Sequence, residues 1–326
     1  MKSLIKYTFV AALAGAIAAS GTSFAQETPP RPTMSAASQS PGSLYVTYIA
    51  SWINQVTKGF NGLSISQEPG GAAQNIVLVH NGDTDFGITN SLQGYQAVHG
   101  FGWTNGTVYD GIAALHAAYP AWLSIFTTAN SDIRTLEDLE GREVAVGLPG
   151  SGSQVVSGAL FEHLGINPGR TVTASWEDTG GMLRDGLVDA VFYLAGHPAG
   201  FIQELQIGRD LRFIPIGSDN IDSFLEEFPY YAQGVLPEGL YENVNEDIRT
   251  IGLMNFIFAS PDLPDDFITT LLETVYANVD GLERGHPNFV NTNFENVRNI
   301  PIPFHPAAKR FYEEKGVPMN VAPAPK

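Results

Sequence analysis

Apolar and polar positions alternate along the chain with two different periods. From Leu44 to Val56 the apolar residues fall on one face of a helix, and Ala72 to His80 repeats that helical period. The segments Leu63 to Gln67 and Asp85 to Thr89 have the shorter period or the compact apolar run of strands. The pattern therefore predicts alternating helices and strands, with a further helix beginning near Ser91.

Beyond residue 110 the same alternation continues almost to the end of the chain. Gly111 to Tyr119 and Ala121 to Thr128 are predicted as two extended segments separated by Pro120. Further strands are predicted at 143–148, 172–175, 190–194, 211–216 and 251–260, and helices at 153–164, 179–185, from 198, at 264–278 and at 306–315. This order is typical of α/β proteins, so we expect two mixed or parallel sheets, each covered by helices.

The amino terminus has the pattern of a secretory signal peptide. Lys2 and Lys6 precede a mostly apolar stretch, Tyr7 to Ala19, and the small residues that follow end in a cleavage site at Ala25. The stretch is shorter than the roughly 20 apolar residues of a membrane-spanning helix. Residues 1–25 are therefore predicted to be removed during export, which would leave a soluble periplasmic protein.

Composition narrows the classes of function. The 326 residues include no Cys, which excludes disulfides, thiolate metal sites, cysteine nucleophiles and a lipid attached to cysteine. The formal net charge is −17, and loss of Lys2 and Lys6 with the signal peptide takes it to −19. So acidic a chain lacks the clustered basic residues that bind nucleic acid, although the charge also serves solubility alone. The length suggests about two domains.

Signatures of enzymes are weak in this sequence. The seven histidines form no His-Glu-x-x-His pattern, and the Gly-x-Ser-x-Gly nucleophile elbow is absent. No cofactor, metal site or catalytic residue is predicted. A secreted enzyme on a two-lobed scaffold is the rival class, and turnover of a bound ligand would distinguish it.

The strongest candidate for binding is the turn that follows the strand at 143–148. Gly150, Ser151, Gly152 and Ser153 stand at the start of a predicted helix, where free backbone N–H groups suit a carboxylate or phosphate. Gln154 stands where a nucleotide-binding loop needs lysine, which argues against nucleotides. Two interpretations stay open, because Ser151 or Ser153 could instead cap the helix while the glycines shape the turn.

Similar features occur earlier in the chain. Asn90 and Ser91 follow the predicted strand at 85–89 and precede a helix, at the strand end where open α/β sheets bind ligands. Gly42, Ser43 and Tyr45 stand at another helix start and offer similar donors. The alternatives are helix capping for Ser43 and Ser91 and core packing for Tyr45.

The order of these motifs resembles the TAXI family, the TRAP-associated extracytoplasmic immunogenic solute receptors. The resemblance rests on the helix start at 42–45, the turn and strand at 81–87, Asn90-Ser91, and the segments 136–148, 150–153 and 189–198. It implies a type II periplasmic-binding-protein fold, with two α/β lobes joined by two crossover segments around a ligand cleft. Lobe one would combine residues 31–126 and 256–326, and lobe two would be 127–255.

The same resemblance implies the ligand, the site and the partners. A monomeric receptor would bind a small carboxylate, either a glutamate-like amino acid or a dicarboxylate, and deliver it to integral-membrane TRAP transporter subunits. An ABC-transporter receptor of the same fold is the alternative. The residues that would face the cleft are Gly42, Ser43, Tyr45, Asn90 and Ser91 from lobe one and Gly150, Ser151, Gly152, Ser153, Tyr193 and Gly196 from lobe two. Asn90-Ser91-Leu92 and His197 depart from the usual family residues, which leaves the ligand's identity open.

Overall fold

The computed structural model describes residues 26–39 and 43–325. The predicted signal peptide at residues 1–25 and the candidate binding residue Gly42 lie outside the described residues. Across the two described ranges, no helix combines the length and apolar character needed to cross a membrane. The fold below is that of these two ranges.

Strands and helices alternate through the described residues, as the hydrophobic pattern predicts. The strands are β1 Thr33–Ala37, β2 Ser64–Glu68, β3 Phe86–Asn90, β4 Ala113–Thr128, β5 Glu143–Ala145, β6 Arg170–Val172, β7 Ala190–Ala195, β8 Leu211–Phe213, β9 Ala232–Leu236 and β10 Ile248–Ala259. The helices are α1 Leu44–Val56, α2 Ala72–His80, α3 Ser91–His99, α4 Gly152–Leu164, α5 Trp176–Asp185, α6 Gly200–Gln206, α7 Ser218–Glu227, α8 Asp265–Ala277, α9 Val279–Glu283 and α10 Pro306–Glu314.

Helix α1 shows how the sequence produces these elements. Ser43 caps its first turn, since the side-chain oxygen accepts a hydrogen bond from the backbone N–H of Tyr45. Tyr48, Ile49 and Trp52 lie on the predicted apolar face and are fully buried. The Trp52 indole donates to Nε2 of buried His116 at 2.9 Å, so its one polar atom is satisfied. The helical prediction for 44–56 is confirmed.

The strands form one hydrogen-bonded sheet rather than the two that were expected. Their order is β2-β1-β3-β10-β4-β7-β5-β6, while β8 pairs with β4 and β9 with β10. The pairs β1–β2, β1–β3, β5–β6 and β5–β7 are parallel, and β10 runs antiparallel to β3, β4 and β9. The long strands β4 and β10 extend through both halves of the sheet, which is why the halves are continuous.

The break expected at Pro120 does not occur. Pro120 lies inside β4, opposite Met254 of β10, and the pairing shifts register just beyond it, where Asn255 pairs with Tyr119 but Phe256 with Ala117. A proline lacks a backbone donor and is accommodated in strands at such irregularities. The Pro120 carbonyl accepts a hydrogen bond from the Asn288 side chain at 2.9 Å.

Buried apolar side chains gather in four clusters. Two of them draw on residues between 34 and 119 and between 254 and 319. The other two draw on residues between 122 and 253, joined by Leu92. The core is therefore divided between two sets of residues, and β4 and β10 contribute to both.

Candidate functional site

A polar cleft opens where the first turn of α1, the middle of β4 and the end of β7 come together. Its volume is about 370 Å³. The side chains and backbone that line it belong to Gln39, Ser43, Leu44, Tyr45, Tyr119, Ala121, Tyr193, Ala195, Gly196, Pro198, Ala199, Gly200, Asn255 and His286. Both sets of core residues thus contribute to one wall, and four of the predicted site residues are brought together there: Ser43, Tyr45, Tyr193 and Gly196.

The α1 side of the cleft is held by hydrogen bonds between polar side chains. Ser43 accepts from the Tyr45 N–H at 3.1 Å and donates to the amide oxygen of Gln39. The Tyr45 hydroxyl donates to Oδ1 of Asn255 at 2.7 Å, and Nδ2 of Asn255 donates to the Tyr119 carbonyl at 2.9 Å. Burial raises the pKa of Tyr45. This wall is therefore preorganised and uncharged.

Tyr193 brings an aromatic surface from the β7 side. Its ring packs edge-on against Trp176, with centroids 4.6 Å apart, and at a tilt of 51° against Phe201, with centroids 5.1 Å apart. Among the described residues the Tyr193 hydroxyl has no hydrogen-bond partner, and the same holds for Tyr119. Burial raises the pKa of Tyr193 and of Tyr119, so both phenols stay neutral. No described residue therefore occupies these two hydroxyls, and both can bond to a ligand.

Gly196 lies where the β7 side of the cleft packs closely against the α1 side. A Cβ added there would lie 2.5 Å from Nδ2 of Asn288 and 3.0 Å from Cδ2 of Leu44. Both neighbours belong to the segments on the α1 side. Only a residue without a side chain allows this approach.

Asn90 and Ser91 do not line the cleft. Asn90 caps α3, where Oδ1 accepts from the Gln93 N–H at 3.1 Å. Ser91 is fully buried, and its hydroxyl accepts from the backbone N–H of Met254 at 3.2 Å. Their side chains thus tie α3 to its own first turn and to β10, and contact with ligand stays a prediction for both.

The glycine-serine turn at 150–153 also lies outside the cleft lining. Gly150 has φ +75°, in the left-handed region that glycine favours, and Ser151 caps α4 by accepting from the Gln154 N–H at 3.3 Å. Gly152 packs close to Leu194, since a Cβ there would lie 2.9 Å from its Cδ2. Ser153 is buried, and its hydroxyl accepts from the Leu194 N–H at 2.9 Å. Ligand binding by this turn stays a prediction too.

The sequence did not single out four of the residues that line the cleft: Gln39, Tyr119, Asn255 and His286. Tyr119 and Asn255 lie in strands whose apolar pattern predicts core. His286 lies in a loop, and its one signal was the His286-Pro287 pair that starts a short 3-10 turn at Pro287–Asn291. Burial lowers the pKa of His286, which favours its neutral form near neutral pH.

The described lining of the cleft carries no Arg, Lys, Asp or Glu. Its titratable groups are three phenols with raised pKa values and one imidazole with a lowered pKa. Within the described residues, no group of three or more His, Asp or Glu side chains is placed to hold a metal ion. Recognition at this wall would therefore depend on neutral hydrogen-bond donors and aromatic surface.

Comparison with known proteins gives one family and several related structures. A model described as the NMT1-like family matches residues 35–316. A TctC solute binding protein from Polaromonas superposes with a TM-score of 0.55 at 13% identity, covering 78% of this chain and 86% of that chain. The aliphatic sulphonate binding protein SsuA from Escherichia coli gives 0.48 at 15% identity, with 88% and 94% covered. Substrate binding domain 2 of Lactococcus lactis GlnP gives 0.44 at 13%, with 82% and 100% covered. By its superposition on the TctC protein, the mixed α/β sheet has the type II periplasmic-binding-protein fold, as the resemblance implied.

Proposed function

The chain belongs to the NMT1-like family, and on that premise we propose that it is a periplasmic solute-binding receptor that captures a small organic anion and performs no chemistry on it. The single observation that carries this proposal is the cleft, where two separately packed sets of residues meet around hydroxyl groups that have no partner among the described residues. Concave sites with a few convergent polar groups are typical of small-ligand binding.

The proposed receptor has two lobes, residues 31–126 with 256–326 and residues 127–255. The buried clusters divide close to these bounds, because apart from Leu92 the second set's clusters draw on residues 122–253. Leu123, Ile125 and Phe126 thus pack with lobe two, and Met254 packs with lobe one. The strands β4 and β10 would be the two crossover segments, since residues of each strand belong to buried clusters of both sets. Closure would then occur by bending about these strands.

The proposed ligand is a glutamate-like amino acid or a dicarboxylate. Hydroxyl and amide donors hold carboxylates well, and a hydrogen bond to a charged group contributes about 1.5–3 kcal/mol. Ser43, Tyr45, Tyr193 and Gly196 would contact it directly at the cleft wall. Closure would have to bring Asn90, Ser91 and the turn at 150–153 to the ligand for the rest of the predicted site to take part.

The proposed partner is a TRAP transporter of the TAXI type, and the proposed location is the periplasm after cleavage near Ala25. The fold shared with a TctC solute binding protein supports a receptor role. The same fold would serve an ABC transporter, and the genes beside this one would decide between them. A neighbouring gene for an ATPase, without TRAP membrane subunits, would contradict the TRAP assignment.

A thermal-shift screen tests the ligand class. Amino acids, keto acids and dicarboxylates would be compared with sugars and peptides, and a ligand at a hundred times its dissociation constant should add about 2.7 kcal/mol of stability. Mass spectrometry of small molecules that copurify with the protein would supply candidates. Stabilisation by a sugar or a peptide, with no response to any carboxylate, would refute the proposed class.

Small-angle scattering tests the proposed closure. The radius of gyration should fall when the ligand found in the screen saturates the protein. An unchanged radius of gyration on binding would contradict movement of the lobes, provided that the ligand-free protein is open.

A further inference from the structure

The chain contains three His-Pro pairs, and in two of them both imidazole nitrogens have protein partners. Nδ1 of His305 accepts from the backbone N–H of Ala307 at 3.2 Å, and its Nε2 lies 3.0 Å from the Leu263 carbonyl. Since a carbonyl only accepts, Nε2 carries the hydrogen. His197 is arranged similarly, with Nδ1 2.5 Å from the Tyr241 hydroxyl and Nε2 3.0 Å from the Trp122 carbonyl. Both histidines are thus neutral Nε2–H donors.

His286 repeats the first half of this arrangement but lacks the second. Its Nδ1 accepts from the backbone N–H of Asn288 at 3.1 Å, which caps the 3-10 turn as His305 caps α10. An N–H donor at Nδ1 requires a lone pair there, so the hydrogen of the neutral ring is on Nε2. Among the described residues Nε2 of His286 has no acceptor, and the ring lines the cleft.

We propose that His286 is a ligand-binding residue that donates Nε2–H to an oxygen atom of the solute, as a neutral imidazole held in one tautomer by its bond to Asn288. This assignment rests on the proposed receptor function and adds a residue outside the turns predicted from the sequence. It gives the cleft a donor of fixed orientation in the lining that also includes Tyr119 and Tyr193.

The neutral state of His286 follows from its surroundings. A proton added at Nδ1 would remove the lone pair that accepts from Asn288 and would break the cap. Burial also lowers the pKa of His286, which favours the neutral ring as well. The Nε2–H group of His286 therefore selects an acceptor oxygen by its fixed position. It does so without adding a positive charge to a described lining that holds no Arg, Lys, Asp or Glu.

Two amide substitutions separate the two nitrogens of His286. In His286→Asn the side-chain oxygen stands near the position of Nδ1 and keeps the cap, but no donor reaches the position of Nε2. In His286→Gln the amide nitrogen can reach the Nε2 position, while the acceptor at Nδ1 is lost. Both variants would be titrated calorimetrically with L-glutamate, 2-oxoglutarate and succinate, and their ligand-free forms melted.

The assignment predicts opposite effects in the two variants. His286→Asn should weaken binding of the tightest of the three probes about ten- to a hundredfold and leave the ligand-free melting temperature near that of the wild type. His286→Gln should keep affinity within about threefold and melt earlier, because the 3-10 turn loses its cap. As a matched control, His305→Asn keeps its own cap but loses the bond to Leu263, so it should melt earlier with unchanged affinity.

If both His286 variants bind the probe as tightly as the wild type does, the role of His286 is overturned and the receptor function is not. Equal loss of affinity in both variants, together with earlier melting of both, would show a structural role and would also overturn it. A wild-type protein that binds none of the three probes would overturn the proposed ligand class and this assignment with it.

Discussion

Replacement of Ser153 by alanine should destabilise the ligand-free protein, whatever the turn at 150–153 does for ligand. The Ser153 hydroxyl accepts from the Leu194 N–H at 2.9 Å and ties the first turn of α4 to the end of β7. Ser153 itself is only 3% exposed, so water cannot readily replace the lost oxygen. The N–H left without a partner should lower the free energy of unfolding by about 1–3 kcal/mol.

Two other serines of the same region serve as controls. Ser151→Ala removes the cap of α4 and should cost about 1 kcal/mol. Ser157 is equally buried, but its hydroxyl donates to the Ser153 carbonyl at 2.6 Å within the helix, and Ser157→Ala leaves no strand N–H unpaired. Its loss of stability should therefore be smaller than that of Ser153→Ala.

Chemical unfolding followed by circular dichroism measures these differences, and calorimetry on the same samples measures ligand affinity. The hydroxyl of Ser153 can accept from Leu194 and still donate to a ligand, so a ten- to hundredfold loss of affinity would place the turn in the binding site. Unchanged stability of Ser153→Ala would refute the reasoning about its bond to β7. Unchanged affinity in both Ser151→Ala and Ser153→Ala would remove this turn from the proposed site.

Three further predictions concern the cleft and the buried histidines. Tyr193→Phe should leave stability within about 0.5 kcal/mol, because its hydroxyl has no partner among the described residues, but should weaken binding in calorimetric titration; unchanged affinity would contradict a contact. Gly196→Ala should hinder the approach of Asn288 and lower the melting temperature, and a variant as stable as the wild type would contradict this packing. Burial lowers the pKa of His116 and of His197 to about 4. The unfolded chain therefore takes up their protons first as pH falls, and urea unfolding should show stability lost between about pH 6.5 and 4; a flat profile would refute it.

The period of the apolar positions predicted most helices and strands well, because most of them bury one face. The bounds of α2 match the prediction residue for residue, those of α8 differ by one residue at each end, and those of α10 differ by one residue at the carboxyl end. The prediction failed at Pro120, where the tertiary pairing with β10 keeps a strand continuous through a residue that usually interrupts one. It also missed α7, whose buried side chains are those of Ile221 and Phe224.

The site was predictable in part for a similar reason. Ser43 and Tyr45 could be found because they follow a recognisable helix start, and their side chains do line the cleft. The sequence could not decide which of two neighbouring serines caps a helix, and the structure gives Ser151 that role rather than Ser153. His286 and Asn255 line the cleft although they lie far in sequence from Ser43 and Tyr45. A local sequence pattern cannot predict that such residues come together.

The pairing of β4 with β10 has a mechanical consequence for the proposed receptor. Their antiparallel ladder from Gly252 to Ala259 contains two register shifts, beside Phe256 and Phe258. Two strands bonded along their length resist sliding and independent rotation, so the ribbon leaves bending as the easy movement, and the bulges supply its flexible points. The rate at which solute enters and leaves would then be a property of this ribbon. Because Tyr119 of β4 and Asn255 of β10 also line the cleft, a substitution at either residue would change exchange and preference for solute together.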